Sequence, residues 1–322
     1  MTPQFDAALD IFFSKLERDE RGGMWRTCRF SGERFYIRPE DIAFYKKIRV
    51  PLPTLSPNER FRRRAASANS YHLFQGTSAW SGKPIISIYP PGSPYQVYEH
   101  EVWYGGDWDP ATYGRDYELG TSFFEQFHSL QLSVPRPNLN NDALSVNSDY
   151  TNTSHGLKNC YLVFDQAGGE NLYYHQCCLD NKNCIDCWAL DYCDTCYGCK
   201  FSQKLYNCFF VEHSENCIDS SFLFDCRGCN NCFMSSGLRG KEYYFRNAHV
   251  GKEEYQRRMW EINFGKWSTL QTHREEYQSL KEKTPRKPFW NKNAENAIGN
   301  FIKNSKNVYF GNYVSDSEGV AY

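Results

Sequence analysis

The residues best suited to chemistry in this chain are its cysteines. Thirteen of the 14 lie between Cys160 and Cys232, in three C-x-x-C runs and a few single positions. The runs are Cys184/Cys187, Cys193/Cys196/Cys199 and Cys226/Cys229/Cys232. Such spacing is the usual one for thiolates gathered on zinc or on an iron–sulfur cluster. A wider pattern changes its meaning. Counting by threes from Cys160, 12 of the 13 thiols fall on one phase and only Cys177 falls off it. All 14 Asp, Glu, Lys and Arg of the segment occupy the other two phases. One residue in three therefore faces inward, and C-x-x-C arises wherever two successive inward positions are Cys.

A longer period is superimposed. Cys160, Leu172, Cys184, Cys196 and Cys208 stand 12 apart, a 9-residue step leads to Cys217, and 12 more give Cys229. A bulky residue follows most of them: Tyr161, Tyr173, Ile185, Tyr197, Phe209 and Ile218. Neither the 3.6 period of a helix nor the 2.0 period of a flat strand fits. Short repeats of fixed length predict a parallel β-solenoid of about 12 residues per rung, because one repeat cannot bury its own face. Roughly seven rungs at about 4.8 Å each would make a rod on the order of 30 Å long. The thiols are then chiefly a core ladder of small polarizable side chains, and no cofactor is expected. The alternative is a zinc or iron–sulfur site where stacked rungs bring Cys184, Cys187, Cys196 and Cys199 into a square, with His175 one rung below Cys187.

The elements ahead of this lattice read as follows. Residues 1–24 form an amphipathic helix, with Phe5, Leu9, Phe12, Phe13 and Leu16 on one side. Thr27-Cys28-Arg29-Phe30-Ser31-Gly32-Glu33 is matched 50 residues later by Thr77-Ser78-Ala79-Trp80-Ser81-Gly82-Lys83, which predicts a duplicated knuckle and hairpin, one copy in 25–73 and one in the aromatic-rich 74–146. Ser56-Pro57-Asn58-Glu59 is an S-x-x-E capping box with Pro at the first helical position, so a helix should start there.

With Val50-Pro51-Leu52-Pro53, Ser56-Pro57-Asn58-Glu59-Arg60, Trp108-Asp109-Pro110 and Tyr113-Gly114-Arg115-Asp116, the chain resembles a poorly characterised bacterial family of Cys-rich proteins known mainly from environmental genomes. The resemblance implies a front end like a treble-clef zinc finger, with C-x-x-C-G first and C-P-x-C-R later. Here the four ligand positions read Cys28, Ser31, Ser56 and Glu59. One thiol cannot hold a structural zinc, so no metal is expected in residues 1–135.

Two further sets could carry chemistry. Arg60, Arg62, Arg63 and Arg64, with Phe61 between them, could contact nucleic-acid phosphates or form a solvated face. Asp109, Asp116, Arg115 and His100 could supply an acid/base set or pin turns. No nucleophile elbow, phosphate-binding glycine loop or H-E-x-x-H motif accompanies them.

After the solenoid (147–249), residues 250–283 read as a two-helix cap and 284–299 as a linker. Residues 300–322 begin the pattern again, Lys306-Asn307-Val308-Tyr309 echoing Lys158-Asn159-Cys160-Tyr161, as the cut-off start of a second solenoid in a fragment. The fold class expected is mostly β with α segments.

A net charge of −1 over 322 residues disfavours a DNA-wrapping protein. No export signal or apolar span is visible, so a cytoplasmic protein with reduced thiols and no membrane partner is expected. The function that follows is non-enzymatic binding or scaffolding of a protein partner. Metal or redox chemistry at the thiols comes second, and nucleic-acid binding through Arg60–Arg64 third.

Overall fold

The computed structural model describes residues 3–66, 71–142 and 144–321. The side chains of residues 3–6, 65 and 178, which include Phe5 and Cys178, lie outside the described residues. The chain is mostly β and divides into two compact units: residues 1–68 with 286–322, and residues 69–285. The second knuckle thus belongs with the thiol lattice, and the C-terminal segment belongs with the first knuckle.

In the larger unit the backbone repeats every three residues. From Asn147 to Arg246 every third residue, without a gap, has φ between 46° and 69°. An L residue resists this left-handed conformation, and Asn, Asp and Gly resist it least. Those three types fill 18 of the 34 positions. Each left-handed residue turns the chain just before an inward residue, and four triplets return it to its starting side 12 residues on. Parallel pairing follows that interval: Cys196 lies opposite Cys184, Tyr197 opposite Phe209, Ser221 opposite Phe233 and Phe233 opposite Phe245.

The interval stays at 12 where the sequence suggested a 9-residue step. Phe209 pairs with Ser221, so Cys208 stacks on Ser220, while Cys217 stacks on Leu205 and under Cys229 in another column. Ile218 likewise pairs with Tyr206 and Asn230, outside the Tyr161–Phe209 column. The step was a change of column and not a short rung.

The inward phase is buried along its length, from Leu157 and Cys160 to Cys229 and Cys232. Its polar members have a definite task. Inward amides at corners find acceptors in the inward side chain one rung earlier: Cys193 N donates to Asn181 Oδ1 (3.0 Å), Ser214 N to Ser202 Oγ (3.2 Å), Cys226 N to Ser214 Oγ (3.0 Å) and Cys232 N to Ser220 Oγ (3.0 Å). Buried amides need such partners, so Cys, Ser and Asn suit this interior where aliphatic side chains alone would strand N–H groups. Outside, Asn147, Asn159, Asn171 and Asn183 form a ladder of side-chain amide bonds of 2.9–3.2 Å ending on Asp194 (2.8 Å).

Residues 140–142 and 144–148 close the amino end: Asp142 accepts from the Gly156 amide, and Ser148 Oγ from the Cys160 amide. At the other end Ala248–His249 turns back antiparallel on Tyr244–Phe245. The two helices expected as a cap divide the work. Lys252–Glu261 packs on the last strand through buried Tyr255, whereas Trp267–Lys283 lies along the flank of the Ser221–Phe224 and Asn230–Ser236 strands.

The duplicated knuckle is present in atomic detail. Strands β1 (Met24–Thr27) and β2 (Arg34–Ile37) pair antiparallel, as do β3 (Phe74–Thr77) and β4 (Pro84–Ser87), 50 residues later in identical register. Cys28 N donates to Glu33 O and Gly32 N to Cys28 O, while Ser78 N donates to Lys83 O and Gly82 N to Ser78 O. The turn needs a left-handed residue, supplied by Gly32 (φ 71°) and Gly82 (φ 72°). In the first unit, helix α1 (Pro3–Ser14) packs Leu9 and Phe13 with Phe35, Ile37, Ile42 and Leu52.

In the same unit the repeating backbone resumes at Lys292, inside the segment expected to be a linker. Its first turn is 11 residues long, seen in the bonds Asn293 to Asn304 and Asn296 to Asn307. Gly299, at φ 144°, sits in that short turn, and the shift of phase hid it from a search by threes. The 12-residue interval follows, with Lys306 opposite Glu318 and Val308 opposite Val320.

Candidate functional site

One outward column runs the length of the larger unit. Tyr161, Tyr173, Ile185, Tyr197 and Phe209 continue at the same 12-residue interval into Ser221, Phe233 and Phe245. Its later part is roofed. Phe233 is 0 % exposed and packs on Phe245 (5.0 Å between ring centres), His273 (5.5 Å) and Phe222 (5.7 Å). Tyr277 covers Phe222 at 5.6 Å, and its hydroxyl donates to Leu223 O at 2.6 Å. Lys281 closes the edge on Glu212 at 2.9 Å.

The earlier part of the column is open. Tyr173 is 38 % and Ile185 43 % exposed, and Trp188 beside them is also exposed. Where roof and open strip meet, a groove of about 550 Å³ runs along helix Trp267–Lys283. Tyr197, Gly198, Lys200 and Phe210 form its floor, and Gln271, Arg274 and Gln278 form one wall. Arg274 lies over the Phe210 ring at 5.6 Å. That size is within the range of pockets that enclose ligands or anchoring side chains.

Cys196 lies one rung from Cys184, directly opposite it. Cys184, Cys187, Cys196, Cys199 and His175 are all buried. The Cys184 thiol neighbours those of Cys187 and Cys196, and Cys187 neighbours Cys199. Its neighbours, Cys187 first, push Cys184 up, while Cys184 and Cys199 hold Cys187 down. Burial lowers His175. The same sulfurs also donate to main-chain carbonyls, Cys184 to Lys182 O (3.1 Å), Cys187 to Ile185 O (3.2 Å) and Cys199 to Cys208 O (3.4 Å). Among the described residues no group of three or more His, Cys, Asp or Glu is arranged to hold a metal ion.

A second thiol cluster went unrecognised in the sequence. Cys217, Cys226 and Cys232 surround Cys229, and their thiols hold it well below the usual thiol range. Three of these were visible as a C-x-x-C run. Cys217 joins them only because it lies one rung beneath Cys229, which the imagined 9-residue step obscured.

The positions where the resemblance implies zinc ligands, Cys28, Ser31, Ser56 and Glu59, are knitted by hydrogen bonds. Burial raises Cys28, but the Ser31 hydroxyl and the amides of Ser31, Ser56 and Phe30 outweigh it and bring the thiol to about 6. Ser56 Oγ accepts from the Glu59 amide at 3.3 Å, as a cap should. The Glu59 carboxylate, instead of reaching back, takes Arg62 (2.8 Å) and Arg63 (2.7 Å), which lower it to about 2. In the second knuckle Ser78 donates to Glu99.

Those ion pairs bear on the basic helix Pro57–Ala66. Arg62 and Arg63 are engaged by Glu59, and Arg60 donates to the Tyr45 hydroxyl at 2.9 Å. Arg64 has an interaction of its own. The four cations do not form a free phosphate-binding face.

The acid/base set is dispersed. Asp109 caps a short helix through the Ala111 amide (2.8 Å), Arg115 donates to Ser129 (3.1 Å), and His100 contacts Asn141 O (3.2 Å).

Among the described residues no helix is long and apolar enough to cross a membrane. No family model, curated protein or solved structure matches the chain.

Proposed function

We propose that this chain is a non-enzymatic binding protein, a β-solenoid of 12 residues per rung whose open aromatic strip receives a protein partner. The observation that carries the reading is the outward column itself, half of which already seats a helix while the other half presents Tyr161, Tyr173 and Ile185 to solvent. Stacked rungs give long regular faces of this kind, suited to recognition more than to enclosing a reaction. The thiol square is read as core, because its sulfurs are engaged with one another and with carbonyls. The two knuckles are read as zinc-finger-derived turns in which hydrogen bonds do what metal would do.

A photo-crosslinking residue placed at Ile185 in cells producing the chain tests this. The expected result is a discrete crosslinked product, absent when the same residue replaces Asp191 on another face. Equal or no crosslinking at the two positions would remove the reading. Stoichiometric zinc or iron released with four thiols by a chelator would favour the metal-site alternative.

A further inference from the structure

We infer that Cys229 is a modification site, oxidised by hydroperoxides and then closed into a disulfide by Cys217, one rung beneath it. The inference stands apart from the binding reading and uses none of its residues. The Ile218 amide donates to Cys229 O at 2.9 Å, and Ile218 pairs with Asn230, so Cys217 and Cys229 share one inward column on adjacent rungs. A rung of about 4.8 Å lies inside the roughly 4.4–6.8 Å that separates the Cα atoms of a disulfide. Cys226 and Cys232 approach the same sulfur from the neighbouring inward positions of its own rung. With the Lys241 amide, these neighbours favour the thiolate of Cys229, the form that attacks an oxidant.

All four thiols are buried, yet the wall over Cys229 is thin. The next residue up its column is Lys241, the first charge after Cys160 to stand on the inward phase, and it is exposed. Leu238 and Tyr244 beside it are only partly buried. Among the described residues no strand pairs above Arg239–Lys241. The adjoining corner is made by Gly228 and Gly240, stacked, exposed and without side chains. A rung at the end of a stack opens more readily than one in its middle. Such opening admits a molecule little larger than water.

The chemistry needs one hydroperoxide. The Cys229 thiolate attacks a peroxide oxygen, forming an S–O bond as the O–O bond breaks and hydroxide (or alkoxide) leaves. The sulfur is oxidised to a sulfenic acid and the peroxide is reduced. The Cys217 sulfur then attacks that sulfenic sulfur, the S–S bond forms, and the departing hydroxide takes the Cys217 proton as water.

The test treats the reduced full chain with hydrogen peroxide and maps the linked peptides by mass. The expected product joins Cys217 to Cys229 with the loss of about 2 Da, the two thiol hydrogens, and dithiothreitol reverses it. Cys184 and Cys196, opposed at the same interval in mid-coil, should stay reduced. Cys217→Ser should leave a sulfenic acid at Cys229 that dimedone traps. Cys229→Ser should slow oxidation of the cluster by about tenfold or more. A chain that keeps Cys217 and Cys229 reduced while the exposed Cys177 is oxidised overturns the inference. So does a bond from Cys229 to Cys226 or Cys232, or oxidation of the mid-coil pair at the same rate. The map of the unaltered chain reads the bond whether or not either variant folds.

Discussion

The two halves of the outward column share a backbone, a register and a left-handed residue in every triplet, yet differ wholly in burial. In the open half the outward and left-handed positions hold Tyr161, Tyr173, Tyr174 and Tyr197, whose hydroxyls water can satisfy, beside the apolar Ile185 and Phe209. In the roofed half they hold Phe222, Phe233, Met234 and Phe245, which have no polar atom to strand. The coil fixes where a side chain points. What covers it is decided by the segment that follows, and the outward residues differ accordingly.

Substitutions can sharpen or break that contrast. Phe233→Ala should cost most, about 3–5 kcal/mol in urea unfolding, because the roof of Phe245 and His273 cannot collapse fully onto the space left. Tyr277→Phe should cost about 1–3 kcal/mol by leaving the buried Leu223 carbonyl without its donor, and amide exchange in the helix should quicken. Arg246→Ala removes a half-exposed pair with Glu276 (2.9 Å) and should cost no more than about 1 kcal/mol, less at high salt. Ile185→Ser, in the open half, should change stability by no more than about 0.5 kcal/mol. If Ile185→Ser proved as costly as Phe233→Ala, the two halves would be one core and the contrast would fail.

The lattice could be read in the sequence because the interior excludes charge on one phase of three over some 70 residues, far longer than any 3-10 helix runs. The left-handed phase was harder to see. Asn, Asp and Gly hold about half its positions, but Tyr174, Phe201, Phe210 and Phe222 hold others and mask the signal. Column membership was misjudged at Cys217, since every inward column accepts Cys and composition cannot tell one from another. The second repeating segment was placed too late because its first turn is one residue short. The groove could not be read, because it depends on where a helix from 70 residues downstream comes to rest. The duplicated knuckle was legible, for Gly32 and Gly82 occupy the one position where the turn demands them.

The inward ladder also gives the coil a direction in time. The side chains of Asn181, Ser202, Ser214 and Ser220 each wait for an amide 12 residues later, and Cys199 and Cys208 donate to carbonyls nine residues later. Each rung therefore prepares a surface for its successor. Ribosomal synthesis delivers the rungs in the same order, amino end first. Because the partners stay about one rung apart, no step has to close a long loop. The molecule can grow as a crystal does, by addition to a finished face. The amino end, with Asp142 and Ser148 in place, presents such a finished face.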